Sequence, residues 1–135
     1  RRNASTRPLT RPTSSWLPLG AVVGPIVFTA AWVVLGVVSP GYVLFGVHIA
    51  PYSPISQPVS GLGLGVTGPF MNAAFLASGL LVIVGAVGVV RAVPTLRTAE
   101  RWWCGLALAL PGVGSVVDGL FTLEAMVPHL AGFLL

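Results

Sequence analysis

The chain is 135 residues long, 55% hydrophobic and 7% charged, with a mean hydropathy of +0.92, against roughly 25% charged residues in an ordinary soluble domain. So apolar a chain cannot hide its side chains from water in one small core, which excludes a soluble globular fold and leaves an integral membrane protein. All basic residues are arginine and the net charge is +4; they form two clusters, Arg1, Arg2, Arg7 and Arg11, then Arg91, Arg97 and Arg101, too few to track a phosphate backbone, so no nucleic-acid partner is expected.

Residues 1–15 are polar, rich in Arg, Ser, Thr and Pro, and read as a disordered cytoplasmic tail. Residues 16–135 read as the transmembrane domain. Its first span, Leu17–Val38, carries no charge, opens on Trp16 as an interface anchor, and contains Pro25, which kinks a membrane helix without ending it. Gly20 and Gly24 form a small-x-x-x-small pair that permits close approach of another helix. This apolar stretch is too long for a signal peptide and lacks a small-residue cleavage site.

Residues 39–68 are rich in Pro and Gly, which forbids a continuous helix, and lack charge apart from the titratable His48. Such a segment is expected to lie on or dip into the outer membrane face, covering the helix ends. Residues 69–90 form the second span, with Pro69 in its first turn and Arg91 closing it. Ala73, Ala74, Ala77, Ser78, Gly85 and Gly88 give it a small-residue packing surface, with Ala74 and Ser78 as the leading candidates beside Gly20 and Gly24.

Residues 91–101 read as a short basic turn around Pro94, and 102–121 as the third span, with Trp102 and Trp103 at its entry and Pro111-Gly112 as a mid-span break. Cys104 has no possible disulfide partner in the chain and reads as a small core hydrophobe, with a lipid or redox modification as the alternative. Residues 126–135 resemble the opening half of a fourth span. The start at Arg1 and the end inside an apolar run suggest a piece of a longer protein. No Lys or Arg occurs between Pro12 and Val90, so both basic segments are expected on the cytoplasmic side, with loop 39–68 and turn 118–129 outside.

Gly63-Leu-Gly-Val-Thr-Gly68 satisfies the G-x-G-x-x-G pattern, but no strand precedes it and no acid follows at the required distance. It reads instead as a flexible entry into the second helix. Asp118 is the one acid inside a predicted span; Ser115, Asp118 and Thr122 are spaced to share a helix face, and His129 begins the next span on the same side. Two readings remain open. In one, Asp118, Glu124 and His129 are interfacial groups that bond the loop and fix the helix hairpin. In the other, His48, Ser56, Gln57, Ser60, Asp118 and His129 face one cavity as a ligand site. The pattern meets neither the ligand requirements of a zinc centre nor those of a nucleophile elbow, so no metal or cofactor is expected.

Tyr52-Ser-Pro-Ile-Ser-Gln-Pro-Val-Ser-Gly-Leu-Gly, Phe70-Met-Asn-Ala-Ala-Phe, and Asp118-Gly-Leu-Phe with a downstream His129 together resemble the bacterial membrane proteins of domain-of-unknown-function family 998. The resemblance covers about residues 17–135 and implies a polytopic helical fold with about six spans in the longer members, without an assigned activity. Ser56, Ser60, Leu62 and Gly63 match the family's loop; Gly61 stands where an acid is usual, and Glu124 stands near a usual Asp.

The sequence therefore predicts an all-α, polytopic transmembrane helical bundle with three full spans, a partial fourth and a Pro/Gly-rich extracytoplasmic loop. The expected location is a bacterial plasma membrane, with the N-terminus cytoplasmic; the Lys-free, Arg-, Ala-, Val-, Gly- and Pro-rich composition accords with a bacterial source. The expected role is non-enzymatic, an accessory or scaffold subunit or a lipid-interacting protein whose partners are membrane lipids and a protein of a membrane complex. The alternative is a transporter or lipid-handling enzyme using Asp118 and His129 at the outer boundary.

Overall fold

The computed structural model describes residues 16–135; the expected cytoplasmic tail lies outside the described residues. A 3-10 turn at Leu17–Leu19 leads into α1 (Gly20–Val38), followed by strands β1 (Tyr42–Leu44) and β2 (Val47–Ile49), 3-10 turns at Val59–Gly63 and Gly65–Thr67, then α2 (Gly68–Ala92), α3 (Thr98–Leu120) and α4 (Met126–Phe133). Three helical segments, Leu17–Val38, Gly65–Ala92 and Thr98–Leu120, are long and apolar enough to cross a membrane. At about 1.5 Å per residue each covers the roughly 30 Å hydrocarbon thickness. In lipid the backbone must satisfy its own polar groups, which makes such runs helical even where β-branched valines dominate, as in α1.

Prolines shape the helix ends more than the interiors. Ser39 and Val93, each preceding a proline, adopt extended conformations that terminate α1 and α2. Both Pro25 and Pro111 sit inside continuous helices, so the expected break at Pro111-Gly112 is absent; a membrane helix tolerates the lost hydrogen bond when neighbouring helices pack around it. The basic turn is also shorter than expected, because α2 continues to Ala92 and α3 already starts at Thr98. The Glu100 carboxylate accepts the Arg97 backbone N–H at 2.8 Å, which closes the first turn of α3 early.

The helices run up and down, with α2 between α1 and α3 and α4 folded back on α3. Small residues set each approach. A Cβ on Gly20 would collide with the Leu81 carbonyl, and one on Gly24 would come within 2.8 Å of the Ser78 carbonyl. On the opposite side of α2, a Cβ on Gly112 would reach 2.7 Å from the Gly79 carbonyl. Gly20, Gly24 and Ser78 thus join α1 to α2 within the chain, and Ala74 is buried. The outer surfaces remain apolar: Val22, Val23, Ile26, Val33, Val34 and Val37 of α1 are exposed, the pattern of helices solvated by lipid. Cys104 is exposed on α3 rather than in the core, since the core-facing stripe there runs through Gly112, Gly114 and Gly119.

The loop is structured. β1 and β2 form an antiparallel hairpin pairing Tyr42 with Ile49, Val43 with His48 and Leu44 with Val47. No strand is expected here from the sequence; the two-residue turn Phe45-Gly46 has positive φ at both positions (48° and 80°), the signature of the hairpin turn whose twist matches the strands. Nor is the Gly63–Gly68 segment a flexible entry. Leu62 and Met71 are fully buried and Phe75 nearly so, with Phe28, Trp32, Leu35, Tyr52 and Val59 packed around them. Thr67 Oγ1 donates to the Leu62 carbonyl at 2.9 Å and Asn72 Nδ2 to that of Gly63 at 3.3 Å. The bundle core therefore sits at the loop end of the helices.

Candidate functional site

The polar residues of the loop end come from the last turns of α3 and the first turn of α4. Ser115 and Asp118 are one turn apart on α3 and face the same side; α3 then stops at Leu120, so Thr122 belongs to the connecting turn rather than to that face. The turn brings back His129, which is 5% exposed. Its Nδ1 lies 2.8 Å from the Phe121 carbonyl. A carbonyl oxygen only accepts, so the imidazole carries its proton on Nδ1 and, when neutral, leaves Nε2 as an acceptor.

The same Nδ1 stands 3.4 Å from Asp118 Oδ1, but that carboxylate oxygen is buried and receives no hydrogen bond among the described residues. Gly132 explains how α4 comes to lie over it. A Cβ at that position would fall 2.5 Å from Asp118 Oδ1 and 2.9 Å from the Gly114 carbonyl, so only glycine lets the two helices close over the acid.

These groups line an open cavity of about 470 Å³ whose walls come from every layer of the fold: Phe28 of α1, Val59 and Ser60 of the loop, Phe75 of α2, Ser115 and Asp118 of α3, His129 and Phe133 of α4. Phe28 and Phe75 pack with ring centroids 5.0 Å apart at 57°. Ser115 Oγ donates to the Phe75 carbonyl at 3.1 Å, so its hydroxyl proton is engaged. The lining is chiefly apolar with a small polar patch, the usual character of a site for a small organic ligand.

Of the six candidate site residues, Ser60, Asp118 and His129 meet in this cavity, whereas His48, Ser56 and Gln57 do not. His48 is exposed on β2 opposite Val43, because strand alternation points it away from the bundle. Ser56 is exposed in a turn closed by its own N–H on the Ser53 carbonyl at 3.3 Å. Gln57 holds the loop together, donating Nε2 to the carbonyls of Ala50 and Pro51 at 3.3 and 3.2 Å. Glu124 bridges the loop to the helices by accepting the Phe45 N–H at 3.4 Å. Glu124 thus ties the loop to the α3–α4 turn and His129 bonds across that turn, while His129 and Asp118 also line the cavity.

Sequence reasoning missed Phe28, Phe75 and Gly132. The spacing of Gly132 three positions after His129 was the available signal, since it places a gap on the same α4 face. Among the described residues no three of His, Cys, Asp and Glu come together as a metal site.

A family model described as "Protein of unknown function (DUF998)" matches residues 22–135. Neither the curated proteins nor the solved structures yield a match to the chain.

Proposed function

From the premise that the chain belongs to the DUF998 family of unknown function, we propose that it is a non-enzymatic, lipid-interacting membrane protein that seats an amphiphile's polar head at Asp118 and His129. One observation carries this reading: a buried carboxylate oxygen without a hydrogen bond, on the wall of an open and chiefly apolar cavity. An unpaired buried acceptor is costly unless a ligand completes it. Both groups offer acceptors, the Asp118 carboxylate, whose side chain is 12% exposed, and His129 Nε2, so the fitting head group is one that donates hydrogen bonds, an ammonium or a hydroxyl. Phe28, Phe75 and Phe133 supply apolar walls for the rest of the molecule.

The scaffold alternative draws less support, because the glycine faces of α1 and α2 are already consumed inside the chain. A hydrolytic role is also less well served, since Ser115 donates its proton to a backbone carbonyl and the His129 Nδ1 proton goes to Phe121 rather than to Asp118. The setting we propose is a bacterial plasma membrane, with the arginine-bearing end of the bundle cytoplasmic and the hairpin loop outside, in accord with the positive-inside rule.

The test is native mass spectrometry of the chain extracted from its own membrane in mild detergent. The expected result is one tightly held amphiphile with a donor-bearing head, retained by the parent and lost in Asp118→Ala. Equal retention by both, or extraction with no bound amphiphile, overturns the proposal. A stoichiometric protein partner without a bound amphiphile would favour the scaffold alternative instead.

A further inference from the structure

A second cavity, of about 440 Å³, opens at the opposite end of the bundle between the last turns of α2 and the first turns of α3. Its walls are apolar, formed by Val87 and Val90 on one helix and Leu106 on the other, with Gly105 leaving room between them. Its rim is cationic. Arg101 is held there by its own turn, donating Nε to the Leu96 carbonyl at 3.1 Å and Nη2 to those of Pro94 and Val93 at 3.2 and 3.4 Å. Nη1 makes no hydrogen bond among the described residues. Arg91, also on the rim, makes no hydrogen bond or ion pair among the described residues. The one acid nearby, Glu100, is committed through Oε2 to the Arg97 backbone N–H.

We propose that this groove binds an anionic phospholipid, with an acyl chain along Val87, Val90 and Leu106 and the phosphate between Arg91 and Arg101. Charge complementarity selects the occupant: a positive rim at the end of an apolar channel between two membrane spans matches a molecule with a negative head and a hydrocarbon tail. A guanidinium already fixed by three carbonyls loses little freedom on meeting a phosphate, and its planar fork suits phosphate oxygens. Trp102, on the same rim and 76% exposed, supplies the amphipathic ring that sits at head-group level. A free phosphate would gain nothing from the apolar walls. The site is remote from Asp118 and independent of the function proposed above.

The test uses the full chain in detergent, with thermal unfolding and native mass spectrometry during titration by phosphatidylglycerol, by phosphatidylcholine of the same acyl chains, or by inorganic phosphate. Phosphatidylglycerol alone is expected to be retained and to raise Tm. Arg91→Gln should weaken its binding about five-fold. Gly105→Leu should abolish it by filling the groove, since a Cβ there meets only Val90 Cγ2, at an ordinary 3.5 Å. Asp118→Asn should leave the Arg91-dependent part of that binding unchanged, which separates this site from the cavity at the other end. Equal binding of the two lipids, equal stabilisation by inorganic phosphate, loss of phosphatidylglycerol binding in Asp118→Asn, or parent-like binding by either groove variant overturns the proposal.

Discussion

Asp118 Oδ1 and His129 Nδ1 stand 3.4 Å apart, yet the imidazole proton goes to the Phe121 carbonyl at 2.8 Å and the carboxylate oxygen is left without a hydrogen bond among the described residues. The acid is therefore a liability to the empty fold rather than a brace. Asp118→Asn should raise the stability of the unliganded protein, by about 1 kcal/mol, because it replaces an uncompensated buried carboxylate with a neutral amide. His129→Ala should lower stability by about 1–3 kcal/mol, because it strips the Phe121 carbonyl of its donor and leaves a void. Thermal unfolding in one detergent measures both. A clear loss of stability in Asp118→Asn would assign the carboxylate a structural role.

The α1–α2 contact makes a second test. Gly24→Leu forces a Cβ to within 2.8 Å of the Ser78 carbonyl, so it should destabilise the chain itself, by about 1–3 kcal/mol. Ile26→Leu, on the exposed side of the same helix, should be neutral. If Gly24→Leu instead left Tm unchanged and released a bound protein, the glycine pair would belong to an external interface.

Trp32 Nε1 donates to the Tyr52 hydroxyl at 2.9 Å, a bond between mid-α1 and the loop. Tyr52→Phe keeps the ring and removes the acceptor, at an expected cost of about 0.5–1.5 kcal/mol. Because that bond ties down the loop, limited proteolysis should cut the loop faster in the variant while the spans stay protected. Unaltered cleavage would show that ring packing alone holds the loop.

Tyr42 is buried under the loop, and burial first, then the neighbouring Tyr52, pushes its phenol above the ordinary 10.0. The neutral form is thus the one that fits, so its contribution is complete below pH 10 and is lost as pH climbs through the raised value. Loop protection from protease should fall at alkaline pH above that point, and Tyr42→Phe should flatten the response. A Cβ on Gly61 would strike the Tyr42 hydroxyl, so Gly61→Glu should expel the ring and loosen the loop even at neutral pH.

The sequence by itself determined the class of this protein and its crossings. Uncharged runs of spanning length have one solution in lipid, since only a helix satisfies its backbone without water, and Leu17–Val38 was readable to the residue. The proline after Ser39 marked the end of α1 for a local steric reason, whereas the end of α2 fell two residues beyond the expected Val90. Asp118, His129 and Ser60 could be singled out because polar groups are rare in such a chain. Tertiary structure alone decided the rest. The hairpin depends on a left-handed Phe45, which no local preference announces. Whether Gly20 and Gly24 face a partner or α2 is a question of rotation about an axis, and an almost uniformly apolar helix carries no stripe to orient it. The cavity, likewise, exists because Gly132 lets α4 close over Asp118 while strand alternation turns His48 outward: contacts between segments far apart in the chain, set by packing and not by composition.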